Sequence, residues 1–232
     1  DIHNSLKLFH GKDESNNWKN FVKIIKNEKP NLVLTCGDNG DINEKDYFEF
    51  REILKNINAN YYMIYGNHDN FETINSGYNN DGSPFLLPEG TIIEYQKITI
   101  AGIPGIKASK SNKPWRHIRE DFQKIGEEIK SNLVSKGNSL DILLTHEFPF
   151  VQELYNMEDT FYFNRSSIDI GKEVELLAPK IAISGHLHGN ENFKINYKNG
   201  IIINLMAFTD GEHYLIMKAN NNPFSVREFV FK

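Results

Sequence analysis

Two hydrophobic rhythms run along the chain, and the switch between them divides it into an alternating front part and a strand-rich tail. Trp18, Phe21, Val22 and Ile25 recur at helical spacing, so residues 15–27 read as a helix, which Pro30 ends. Residues 32–36 are a short apolar run, read as a buried strand. Residues 44–57 carry Tyr47, Phe50, Ile53, Leu54 and Ile57 on one helical side, and residues 61–65 form the next strand. Residues 70–90, rich in Asn, Gly, Ser and Pro, read as a loop. Strands are expected at 91–95 and 97–103, a helix at 114–132 opened by Pro114, and a strand at 140–145. A short helix holding 174–177 and a strand at 181–184 complete the alternation.

Beyond that point the pattern changes. Residues 193–197 and 201–205 flank Asn199-Gly200, a strong hairpin dipeptide, and strands at 214–218 and 226–231 continue the run. No repeat, linker or low-complexity tract interrupts the chain. A single α/β domain over residues 1–232 is expected.

Bulk properties narrow the function classes. A chain of 232 residues suits one well-packed core. The net charge of −5 argues against a broad basic surface, so nucleic acid is not a favoured partner. The lone Cys36 rules out an internal disulfide, which favours a reducing, cytoplasmic setting. No apolar run approaches the ~20 residues a membrane helix needs, and no secretory signal is visible. The chain begins at Asp1 without a leading strand, and an apolar strand in front of Asp1 is therefore expected in the natural gene.

Candidate chemistry collects directly after the expected strands. The clusters are Asp1-Ile2-His3, Gly37-Asp38-Asn39-Gly40-Asp41, Gly66-Asn67-His68-Asp69, Thr145-His146-Glu147 and Gly185-His186-Leu187-His188. In open α/β sheets, ligands gather beyond the carboxyl ends of strands, so five such clusters would converge on one place. Imidazole, carboxylate and amide oxygen together suit Zn, Mn or Fe. In Asp-x-His and His-x-His, extended backbone points both donors to one side. Taken singly, each cluster has an ordinary reading. Asp1 could be a solvated terminus, Asp38, Asp41, Asn67 and Asp69 turn formers, His146 a structural histidine, and His186 and His188 part of a surface loop. Only the set, in order, argues otherwise.

That ordered set resembles the signature of the calcineurin-like metallophosphoesterase superfamily, over residues 1–188. The resemblance implies a four-layer α-β-β-α sandwich, two facing mixed β-sheets flanked by helices. It implies two divalent metal ions, of Mn, Fe or Zn. Asp1, His3 and His188 would hold the first, Asn67, His146 and His186 the second, and Asp38 would bridge them. His68 matches the family's catalytic histidine and Asp41 the acidic residue that partners it, with Asn67 and His68 also contacting substrate. The implied reaction is hydrolysis of a phosphodiester or small phosphomonoester, such as a nucleotide, by a water that both metals share and activate, with His68 as general acid.

Neighbouring functions fit less well. The protein-phosphatase branch has an arginine where Ile42 stands. A DNA-repair nuclease usually carries an extra domain, for which this chain leaves little room. A non-catalytic scaffold of the same fold is disfavoured by His68, the residue such members lack. Trp115, Arg116 and Arg119 either line the substrate entrance or, more simply, begin a helix with solvated arginines. Lys107, Lys110 and Lys113 read as a solvated loop. His10, His117 and His213 match no motif, and no role for Glu147 follows from the sequence.

Overall fold

A computed structural model describes Ile2 and residues 15–156, 164–188, 192–198, 200–206, 214–221 and 224–231. Asp1, His3, His10 and His213 lie outside the described residues. Helix α1 (Asn17–Glu28) buries Trp18, Phe21 and Ile25, and stops where Lys29 turns left-handed, one residue before Pro30. Strand β1 (Leu32–Thr35), helix α2 (Glu44–Ile57) and strand β2 (Asn60–Met63) follow. The Asn43 side chain accepts a hydrogen bond from the Asp46 N–H and caps α2. Strands β1 and β2 pair in parallel, with Thr35 opposite Met63.

The main sheet has six strands in the order β3-β4-β7-β8-β10-β9. They are β3 (Ile92–Tyr95), β4 (Ile98–Ile103), β7 (Ile142–Thr145), β8 (Ile181–Ser184), β9 (Phe193–Tyr197) and β10 (Gly200–Asn204). β4, β7, β8 and β10 run parallel, whereas β3 and β9 pair antiparallel on the two edges. Between them come β5 (Ile106–Lys107), β6 (Arg116–His117), helix α3 (Arg119–Lys136) and helix α4 (Ile168–Leu177). The tail is the antiparallel pair β11 (Leu215–Asn221) and β12 (Phe224–Phe231).

Why the central strands read as continuous apolar runs is visible in their packing. Ala101, Ile103, Leu143, Ala182 and Ile202 face a core with Phe122, Ile125 and Ile129 of α3 and Val174 and Leu177 of α4. Ile98, Ile100, Ile142, Leu144, Ile181, Ile183 and Ile203 face the opposite way, against Tyr62 of β2 and Ile64 just after it. The far side of the β1–β2 pair, through Val33, Tyr61 and Met63, packs on α1 and α2. A six-stranded mixed sheet thus separates two cores, and the two-stranded parallel β1–β2 pair separates the second from the third, in a mixed α/β architecture. Among the described residues, no helix is long and apolar enough to cross a membrane.

The bounds of one helix differ from expectation, and the short helix expected around 174–177 gains its full extent. α3 starts at Arg119 rather than at 114, because Arg116 and His117 instead pair in parallel with Ile106 and Lys107. The Asp121 carboxylate accepts from the Ile118 N–H and sets the helix start. α4 reaches back to Ile168, capped by Ser167. Lys107 lies in β5 rather than in a loop: its side chain stays half-exposed, and its ammonium lies 2.5 Å from a carboxylate oxygen of the buried Asp169.

At the α3–α4 contact, Gly126 in mid-helix faces Glu173. A Cβ on Gly126 would lie 1.8 Å from Glu173 Oε2. Burial first, then the charges of Glu127 and Asp169, push the Glu173 carboxyl up to about 7. A carboxyl whose folded pKa is raised favours folding while protonated, and that advantage fades as pH rises from the ordinary Glu value towards 7. The full swing is at most about 3 kcal/mol. Glu173→Gln is therefore expected to leave the melting temperature unchanged at pH 4.5 and to raise it by several degrees at pH 8. Equal melting temperatures of the two proteins at pH 8 would remove the argument.

Candidate metal centre

Register explains why distant residues meet. Ile103, Thr145, Ser184 and Asn204 stand abreast across β4, β7, β8 and β10, so the residues that follow β7 and β8 emerge side by side. His146 and His186 accordingly lie with ring centroids 4.8 Å apart. On the other sheet, the aligned ends of β1 and β2 deliver Gly37-Asp38 and Gly66-Asn67 to the same place. The sheets are tied there by His146 Nδ1 at 2.7 Å from the Cys36 carbonyl, and by the Cys36 thiol donating to the Ile183 carbonyl.

Asp38, His146 and His186 each offer one ligand atom, all within 4.8 Å of one another. The Cys36 carbonyl accepts a hydrogen bond from the Nδ1–H of His146, so in the neutral ring the lone pair is on Nε2, turned inward. That Nε2 faces Asp38 Oδ2 at 3.4 Å and Asn67 Oδ1 at 3.3 Å. Lone pairs of two oxygens and a nitrogen converging in a buried space fit a cation of the carboxylate–imidazole class. Burial opposes a positive charge on His146, yet Asp38 and Asp69 outweigh it and raise its pKa. At His186, burial first and then neighbouring His146 hold the imidazole down to about 4, so it stays neutral and able to ligate near pH 7.

The backbone is shaped around this space. Asp38 and His186 adopt left-handed conformations, φ 51° and 66°, sparsely populated for residues other than glycine. Gly66 has no room for a side chain: a Cβ there would sit 2.2 Å from Asp38 Oδ1 and 2.6 Å from His146 Nε2.

The other expected residues fall around this cluster. His188 is half-buried, and both it and His68 act electrostatically on His186. The His68 N–H donates to Asp38 Oδ1 at 2.7 Å, while its side chain is exposed. Asp41 is exposed at the rim of the β1 loop. Trp115 packs on Phe71, three residues past His68, with ring centroids 5.1 Å apart. Arg116 donates to Asn112 across the surface, and Arg119 opens α3. His117 is buried beside Tyr65, Glu89 and Asp121, in keeping with a structural histidine. Glu147 acquires a role as well: its carboxylate accepts from the Lys107 N–H and anchors β5 beside the site.

Asp69 does more than form a turn. One of its oxygens accepts from the N–H groups of Asp38 and Gly66, and the other accepts from Asn39. It thereby clamps the loops after β1 and β2 together. Nothing in the local sequence distinguishes such a clamp from a turn residue, because its partners on the β1 loop lie about thirty positions away. Asn at this position keeps a single acceptor oxygen, so at least one N–H loses its partner. Asp69→Asn is expected to cost about 1–3 kcal/mol in urea unfolding and to weaken metal affinity. Unchanged unfolding midpoints would show that the clamp is dispensable.

Comparison with known proteins places this geometry in context. The family profile described as calcineurin-like phosphoesterase matches residues 1–190. No curated protein matches. Among solved structures, TT1561 of Thermus thermophilus is similar at 14% identity and a TM-score of 0.65, over 93% of this chain and 91% of that one. A second structure matches at 13% identity and a TM-score of 0.60, over 92% of each chain. At such identities the likeness concerns the fold.

Proposed function

We propose, from the premise that this chain belongs to the calcineurin-like phosphoesterase family, that it hydrolyses a phosphodiester or a small phosphomonoester such as a nucleotide. The observation that carries this reading is the convergence of Asp38, His146 and His186 with the Asn67 amide oxygen. Asn67, His146 and His186 would hold one metal ion, and Asp1, His3 and His188 a second, with Asp38 shared. Mn, Fe and Zn all suit these donors. Such ions, when bound, activate a water for attack on phosphorus and neutralise the phosphoryl oxygens.

The chain's own residues supply the rest. His68 is held at the cluster by its backbone N–H on Asp38, and its side chain is exposed. It donates a proton to the departing alkoxide, and Asn67 and His68 orient the phosphate. Asp41, at the rim, keeps His68 oriented and protonated. The absence of a phosphate-gripping arginine after Asp41 argues against a protein phosphatase. Ile42 there is fully buried in the core with α1 and α2 and presents nothing to a substrate.

The test is to load the protein with Mn, Zn or Fe, measure metal content, and assay phosphomonoesters, cyclic nucleotides and dinucleotides. Two metals per chain and turnover of at least one ester class are expected. Failure to bind any metal would overturn the reading, and metal binding without turnover of any ester would replace it with a scaffold.

A further inference from the structure

A second site lies away from the metal cluster, between α3 and α4. A cavity of about 300 Å³ opens there, lined by Arg119, Glu127, Asp169, Lys172, Glu173 and Leu176. Glu173 is buried, only 6% exposed, and its Oε2 has no hydrogen-bond partner. Asp169 is already engaged, by the Lys107 ammonium at 2.5 Å. The carboxylate of Glu173 is left over.

Its position is built, not incidental. Glycine in a helix interior is about 1 kcal/mol less favourable than alanine. Gly126 has an ordinary helical backbone, yet a Cβ would strike Glu173 Oε2 at 1.8 Å. A weak helix former and an unpaired buried carboxylate, both unfavourable alone, thus coincide at one cavity. A ligand that donates to Glu173 would account for both. The lining carries both signs: Glu127 and Asp169 disfavour a negative charge on Glu173, Lys172 favours it and Arg119 stands at the same cavity, so the choice of a donor ligand rests on the unpartnered Glu173 oxygen itself. The three carboxylates do not bring their oxygens together as the Asp38 cluster does, the one such convergence among the described residues. The cavity volume also exceeds that of a bare ion.

We propose that this cavity binds a small organic ammonium compound, whose N–H groups donate to Glu173 and whose carbon chain lies against Leu176. The site is independent of the phosphoesterase reading.

Calorimetric titration of the full chain with 1,4-diaminobutane at pH 8 tests it, with 1,4-butanediol as the uncharged analogue. Saturable 1:1 binding of the diamine is expected, with none of the diol. Glu173→Gln should weaken the diamine at least about tenfold, the loss of one charge-assisted hydrogen bond. His186→Ala, altered only at the metal cluster, should bind it as the wild type does. No saturable binding, equal binding by Glu173→Gln, or loss of binding in His186→Ala would overturn the proposal. So would a saturable response to magnesium chloride with none to the diamine.

Discussion

Replacing His68 with alanine is expected to lower turnover of an alkyl phosphate by about 100- to 10,000-fold. An alkoxide is a strong base and leaves slowly without a proton. A nitrophenolate needs none, so the same variant should lose far less rate on nitrophenyl esters. Metal content should be nearly unchanged, because His68 meets the cluster through its backbone N–H on Asp38, which alanine keeps. Steady-state rates on both ester types, with elemental analysis of each protein, decide the matter. Equal losses on the two esters, or loss of metal, would assign His68 to ligation or to folding instead.

Gly66→Ala is expected to be nearly as damaging, by a different route. The added methyl would occupy space 2.2 Å from Asp38 Oδ1 and 2.4 Å from His146 Cε1. Gly66 does not adopt a positive φ, so the penalty is steric and falls on the ligands themselves. Metal affinity should fall by about 100-fold, the upper range for disturbing ligand positioning. Gly82→Ala is the contrast: Gly82 has φ +83°, but a methyl added there would meet nothing within 4 Å. It should weaken folding by about 1 kcal/mol and leave metal affinity alone. Metal titration of both variants checks the pair, and intact affinity in Gly66→Ala would mean that the cluster can rearrange around the methyl.

What the sequence discloses depends on how local the cause is. Strands β4, β7 and β8 were legible because burial on both faces leaves an unbroken apolar run. The convergence of Asp38, His146 and His186 was legible because their residue types recur directly after such runs. The start of α3 was not legible, since Pro114 reads as the opening of a helix, whereas Arg116 and His117 pair with Ile106 and Lys107. The same holds for Lys107, whose place is fixed by Asp169 from the start of α4. Asp69 and Glu147 act through backbone N–H groups of segments distant in sequence, and an N–H carries no mark in the sequence.

The tie between His146 and the Cys36 carbonyl spans 110 positions, and that between Cys36 and Ile183 spans 147. Contacts of such separation form late, because a long loop must close before they contribute. During synthesis, Asp38 leaves the ribosome well before His186, on the order of ten seconds earlier at ordinary elongation rates. Through that interval Asp38 and Asn67 lack the imidazole of His186, and for most of it that of His146. The buried cluster of Asp38, His146 and His186 is thereby completed only after His186 has been made and the two sheets have closed on each other.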